Sequence, residues 1–222
     1  DNTDLMVQIN GIVNEYIHVE KPDQEAVPSR QFDISKIDFE LLSREFAHTR
    51  RKNLLLRDLD ELVNQQLAKM LFANPRRIDY YDRYQEIIDA YNAEQNRATI
   101  EKTFMDLMEL ASSLDTEQQR YVREGFSSDE ELSVYDLLFS ENLTKQEIET
   151  IKKVSVDLLT KIKQQIAKLD HWTDKQETKA IVDNLIRNTL WQELPNSYDV
   201  SDIQTYQKKI YEYVYMRYPE VA

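Results

Sequence analysis

The sequence predicts an all-α fold, an irregular multi-helix bundle of about eight or nine helices, and three observations carry that prediction. Apolar residues recur at i, i+3, i+4 and i+7 along nearly the whole chain, the spacing of one helix face. Helix-start motifs recur as well. Glycine is almost absent, with 2 residues (Gly11 and Gly125) in 222. Sheet-rich folds spend glycine on hairpin turns and bulges, and no segment shows a convincing period-two strand pattern.

Taken in order, Leu5, Ile9, Ile12, Val13, Tyr16 and Ile17 form a first stripe. Residues 19–37 hold Pro22, Pro28 and scattered charges without a period, which reads as a connection. A second pattern runs from Asp38 through Phe39, Leu42 and Phe46, breaks at Arg50-Arg51-Lys52-Asn53, and resumes with Leu55, Leu59, Leu62, Val63, Leu67 and Met70. Asn74-Pro75 stops it, because the residue before proline is pushed out of the helical region. Five segments then fit the capping box: Thr116–Gln119, Ser128–Glu131, Thr144–Glu147, Thr173–Gln176 and Ser201–Gln204. In that motif a side-chain oxygen accepts from the third backbone N–H while the Glu or Gln reaches back. Ile148, Ile151, Ser155, Leu158, Leu159, Ile162, Ile166 and Leu169 mark one helix of about 25 residues. Ile181, Leu185, Ile186 and Leu190 mark another.

Composition excludes several functions. With two isolated glycines, neither GxGxxG nor GxxxxGK[ST] can be written, so a nucleotide site on either motif is ruled out. Net charge is −13, from 41 acidic and 28 basic residues, a surface that repels duplex DNA unless its cations are segregated. Protein partners are therefore favoured. The absence of cysteine removes disulfides and thiolate metal sites and agrees with a reducing, cytoplasmic setting. No apolar run reaches the length of a membrane span. The opening Asp1-Asn-Thr-Asp is neither a signal peptide nor a natural start, so the chain reads as a piece of something longer.

Four clusters carry candidate chemistry. Glu15-Tyr-Ile-His18 and Glu45-Phe-Ala-His48 have the Glu-x-x-His spacing of helical di-metal centres. Their faces run away from the apolar stripes, so solvated faces are the better reading and no metal site is assigned. Gln207-Lys-Lys-Ile-Tyr211 spells Q-x-x-x-Y, seen near nuclease centres, but the strands such a centre needs are not predicted. Arg50, Arg51, Lys52, Arg76 and Arg77 are the dense positive spots and the candidates for phosphate contact, against a bland reading as helix-terminal charge. The last helix is rich in tyrosine. Tyr211, Val214, Tyr215 and Tyr218 share one face, while Tyr206, Ile210 and Tyr213 form a second. Tyrosine suits interfaces because its ring buries and its hydroxyl stays wet. Tyr206, Tyr211, Tyr215 and Tyr218 are the candidate partner-binding residues, with ordinary core packing as the alternative. His171, in Lys168-Leu-Asp-His-Trp172, sits at a helix junction where a polar tip is ordinary. Residue chemistry alone favours a helical binding or scaffolding module over an enzyme.

An ordered series of segments resembles a known family. It comprises Ile37–Leu42, Lys52-Asn53, Leu67–Leu71, Asn74–Asp79, Tyr84–Asn92, Ile100–Met108, Glu117–Gly125, Glu130–Leu138, Leu169–Trp172 and Tyr211–Pro219. Together they resemble the C-terminal helical region of the R subunit, the motor and nuclease subunit, of type I restriction enzymes. The resemblance covers residues 35–219. It implies a C-terminal helical domain over 35–222, preceded by a helical segment and connection over 1–34. It further implies a docking role that joins the motor subunit to the modification and specificity subunits of a methyltransferase core. ATP, Mg²⁺ and DNA would then belong to the parent complex, and this region would carry no cofactor and no catalysis of its own. A bacterial or archaeal cytoplasmic setting follows from the same resemblance. An independent helical adaptor unrelated to restriction is the alternative.

Overall fold

In the computed structural model, Ser35 and residues 37–219 are described; the predicted stripe from Leu5 to Ile17, Glu15/His18 and most of the connection lie outside them. Among the described residues there are nine α-helices and no strand. We number them α1 (Phe39–His48), α2 (Lys52–Ala73), α3 (Ile78–Ala93), α4 (Arg97–Gln118), α5 (Arg120–Arg123), α6 (Asp129–Leu138), α7 (Lys145–Ile166), α8 (Gln176–Glu193) and α9 (Val200–Arg217), with a 3₁₀ turn at Pro75–Arg77. The chain divides into two compact units, one ending at Arg120 and the other beginning at Tyr121. That division falls inside the region the sequence presents as one domain.

The first unit is built on α4. Asp38 caps α1 by accepting from the Leu41 N–H, which aims Phe46 inward until its ring stacks on Phe104 at 3.7 Å. α2 and α3 both pack on α4, and Leu59, Val63, Leu67, Leu107, Leu110 and Leu114 fill the space between. α2 ends where the sequence requires, at Ala73. Asn74 leaves helical geometry and its side chain caps the turn that Pro75 opens. Deep in this unit Arg77 is 3% exposed and donates from Nε to Glu117 Oε1 at 3.0 Å. Arg120 donates to the same carboxylate at 3.0 Å.

The second unit is a ring of four helices: α6 packs on α7, α7 on α8, α8 on α9, and α9 returns to α6. Leu132, Leu138, Ile151, Leu158, Ile162, Val182, Ile186, Leu190, Ile210 and Val214 fill its centre. Five successive capping boxes do not survive intact. Thr144 and Glu147 make the full reciprocal box, and Ser128 caps α6 by accepting from Glu131 N–H. Thr116 lies inside α4, where its hydroxyl donates back to Ser112 O at 3.1 Å. α8 starts at Gln176 rather than just after Thr173, and Lys175 gives it no side-chain cap. Before α9 the cap is Asp199, paired with Asp202, two residues upstream of Ser201. The helix read through Leu169 closes at Ile166; Leu169 still packs on the core from the turn beyond. Ile181, assigned to a buried stripe, is exposed.

Candidate functional site

The aromatic residues of the second unit meet where α9 passes the turn between α7 and α8. His171 in that turn takes a left-handed φ of 44°, and the reversal drops Trp172 into the core, 1% exposed. Its indole N–H donates to the Tyr218 carbonyl at 2.7 Å. Its ring meets Tyr211 edge-on at 6.1 Å and Tyr215 edge-on at 5.7 Å, the arrangement aromatic quadrupoles prefer. Lys163 extends over the Tyr218 ring and pairs with Glu130, tying α6, α7 and the end of α9 together. On the other flank Tyr206 lies against Tyr198, whose hydroxyl donates to the Leu138 carbonyl at 2.7 Å.

The candidate tyrosines thus separate. The deepest face of α9 is Ile203, Ile210, Tyr213 and Val214. Tyr206, Tyr211 and Tyr218 are half-buried at its edges, packed against the core. Tyr215 alone of the four is exposed, at 40%, with its ring resting on the Trp172 edge. Burial holds the Tyr211 phenol above its ordinary range, with the nearby Asp183 carboxylate adding to the effect. Burial does the same to Tyr213, Tyr198 and Tyr218.

The basic candidates separate too. Arg77, one of the candidate phosphate contacts, is buried. It is consumed in the buried pair with Glu117 and reaches the Met70 carbonyl, so its guanidinium faces the core. Lys52 is engaged as well: its ammonium caps the Phe46 carbonyl at 3.1 Å, sits 4.4 Å from the Phe46 ring centroid and pairs with Glu101. Arg97 first, then Lys52, hold the Glu101 carboxyl below its ordinary range. Arg50, Arg51 and Arg76 are exposed. Reading Arg77 as surface charge was natural, since its partner stands forty positions away (|i−j| = 40) and leaves no local trace.

Glu45 and His48 are both exposed on α1, beside a shallow cleft also lined by Thr49, Arg51, Leu54, Leu55 and Asp58. Among the described residues no three His, Cys, Asp or Glu side chains converge as a metal site would require. Gln207 of the Q-x-x-x-Y segment donates to Asp183 Oδ1 at 2.9 Å, helix to helix. Gly125 turns the chain at φ 84° in open space. None of the described helices is long and apolar enough to cross a membrane.

What the described residues define is an all-α module in which Arg77, Glu117 and Lys52 are engaged in pairing and Trp172 and most of the last helix's tyrosines in packing. The chain belongs to the family of type I restriction enzyme HindI endonuclease subunit-like proteins, C-terminal region: the family model matches residues 2–218. The match takes in residues 2–34 as well as the stretch from residue 35 onward that the ordered segments cover. No curated protein and no solved structure matches the chain.

Proposed function

We propose that this chain is a docking and assembly domain. It holds the motor and nuclease subunit of a type I restriction enzyme against the methyltransferase core of modification and specificity subunits, and has no catalysis of its own. The observation that carries the reading is the family match over residues 2–218 on an all-helical scaffold. Type I restriction enzymes are multi-subunit assemblies, so an endonuclease subunit needs surfaces for its partners. Tyr215 offers such a surface, an exposed ring braced by Trp172 and by the neighbouring Tyr211 ring, while Tyr206 and Tyr218 pack against the core on either side. A braced aromatic loses little entropy on binding. ATP, Mg²⁺ and the principal DNA grip belong to the parent complex in a bacterial or archaeal cytoplasm. Arg50, Arg51 and Arg76 are the cations through which DNA held by that complex would touch this domain.

Co-purification of the chain with its cognate modification–specificity complex tests the reading. The wild type is expected to be retained, and Tyr215→Ala, with an unchanged circular dichroism spectrum and melting temperature, to be retained less. Absence of wild-type retention at micromolar concentrations contradicts docking and favours an independent adaptor role.

A further inference from the structure

Among the described residues, α1 and α2 leave an apolar strip uncovered. Leu41, Glu45 and His48 follow one another at i, i+4 and i+7 on α1, and Leu54 and Asp58 at i and i+4 on α2. Leu41 is 52% exposed and Leu54 is 41% exposed. Glu45 and His48 on one helix and Leu54, Leu55 and Asp58 on the other border an open cleft of about 480 Å³, lined mostly by apolar surface. Leu41 continues that surface along α1 to the first turn, which Asp38 caps.

One end of the cleft is positive. Arg51 lines it beside Arg50, both are exposed, and neither pairs with an acid among the described residues. α2 opens with no side-chain cap and no acidic residue in its first turn, so the positive end of its dipole adds to theirs. Of the two acids on the rim, Asp58 lies 3.6 Å from Arg57.

An occupant that fits must bring apolar side chains and acids together. The first twenty residues of this chain do so, although they lie outside the described residues. Leu5, Ile9, Ile12, Val13 and Tyr16 recur at helical spacing, accompanied by Asp1, Asp4, Glu15 and Glu20 and by no Lys or Arg. An amphipathic stripe draws its stability from the surface it covers. Residues 18–37 join the stripe to α1 and can span up to about 65 Å. That is several times the length of α1, roughly 15 Å. A segment so tethered meets the cleft at roughly millimolar effective concentration, an advantage no free partner has. The family match begins at residue 2, which puts the stripe in the same module as α1 and α2.

We infer that residues 5–17 seat their apolar stripe in the α1–α2 cleft of their own chain, over Leu41, Leu54 and Leu55, with the acids of this segment facing Arg50 and Arg51. The inference is independent of the docking role proposed above.

The chain has no cysteine, so introduced pairs report contact without background. In the full chain, Leu54→Cys is combined either with Ile12→Cys, on the stripe, or with Asn14→Cys, on the opposite side of the same helical pattern. Each variant is checked for an unchanged melting temperature. The two pairs share one tether and differ in face. Mild oxidation of dilute protein is expected to close the Ile12 pair within one chain about tenfold faster than the Asn14 pair. In the cysteine-free chain, Leu54→Asp is expected to speed hydrogen exchange at the amides of residues 5–17 by about tenfold. Equal closure of the two pairs, or exchange unmoved by Leu54→Asp, overturns the inference. A disulfide that forms only between molecules means that a second copy covers the cleft, and overturns it too.

Discussion

Glu117 receives two guanidiniums, from Arg77 below and Arg120 at the edge of the first unit, and burial makes that carboxylate costly to remove. With Glu117 gone, Arg77 keeps a buried positive charge beside the Met70 carbonyl. Glu117→Ala is expected to destabilise by about 3–5 kcal/mol, the usual cost of breaking a buried pair from one side. Urea unfolding of the purified variant measures it, and a loss below about 1 kcal/mol would mean that water screens the pair. Residue-scale features of this kind are the least legible in sequence. Arg77 and Glu117 belong to different helices and their meeting depends on how α2, α3 and α4 pack. Trp172 was equally hidden. The sequence places Trp172 at a helix junction without showing which way it faces, and the left-handed turn at His171 precedes its burial.

At the scale of elements the sequence was far more readable, because a helix is a local object. Periodic leucines and isoleucines fix the buried faces of α2 and α7, and Asn74-Pro75 ends α2 on steric grounds alone. Starts were harder, since capping residues compete. Asp199 outcompetes Ser201 because a carboxylate both accepts the free N–H and faces the positive end of the helix dipole. Thr116 fits the motif but sits where α4 is already propagating, so its hydroxyl turns back on the helix instead. The turn through His171 carries the chain beyond Thr173 before α8 can begin. These assignments predict distinct costs. Thr144→Ala and Asp199→Ala are each expected to lower stability by about 1 kcal/mol. Thr116→Ala and Ser201→Ala are expected to stay within about 0.5 kcal/mol of wild type. Chemical denaturation of the four variants side by side checks the ordering, and an effect of Ser201→Ala equal to that of Asp199→Ala would show that the cap is misplaced.

For the molecule as a whole, composition alone excluded glycine-loop nucleotide chemistry, and the ordered segments pointed to the family that the match over residues 2–218 establishes. The division at Arg120 was not legible, because no proline- or glycine-rich linker marks it; α4 runs to Gln118 and α5 starts at Arg120. Nor did periodicity settle which residues of α8 are buried. Ile181 was read into the buried stripe beside Val182, and a helix register decides which of two adjacent apolar residues turns outward. Of the four candidate tyrosines that the sequence singles out on the last helix, only Tyr215 is exposed, and which of them face outward depended on how the four-helix ring packs. The proposed docking role makes one central claim, that the chain competes for a surface on a methyltransferase core. The most direct measurement is competition. Adding the purified chain in excess to a reconstituted enzyme, before its motor subunit binds, should suppress ATP-dependent DNA translocation in proportion to core occupancy, and Tyr215→Ala chain should suppress it less. Full translocation in the presence of saturating wild-type chain would contradict the account.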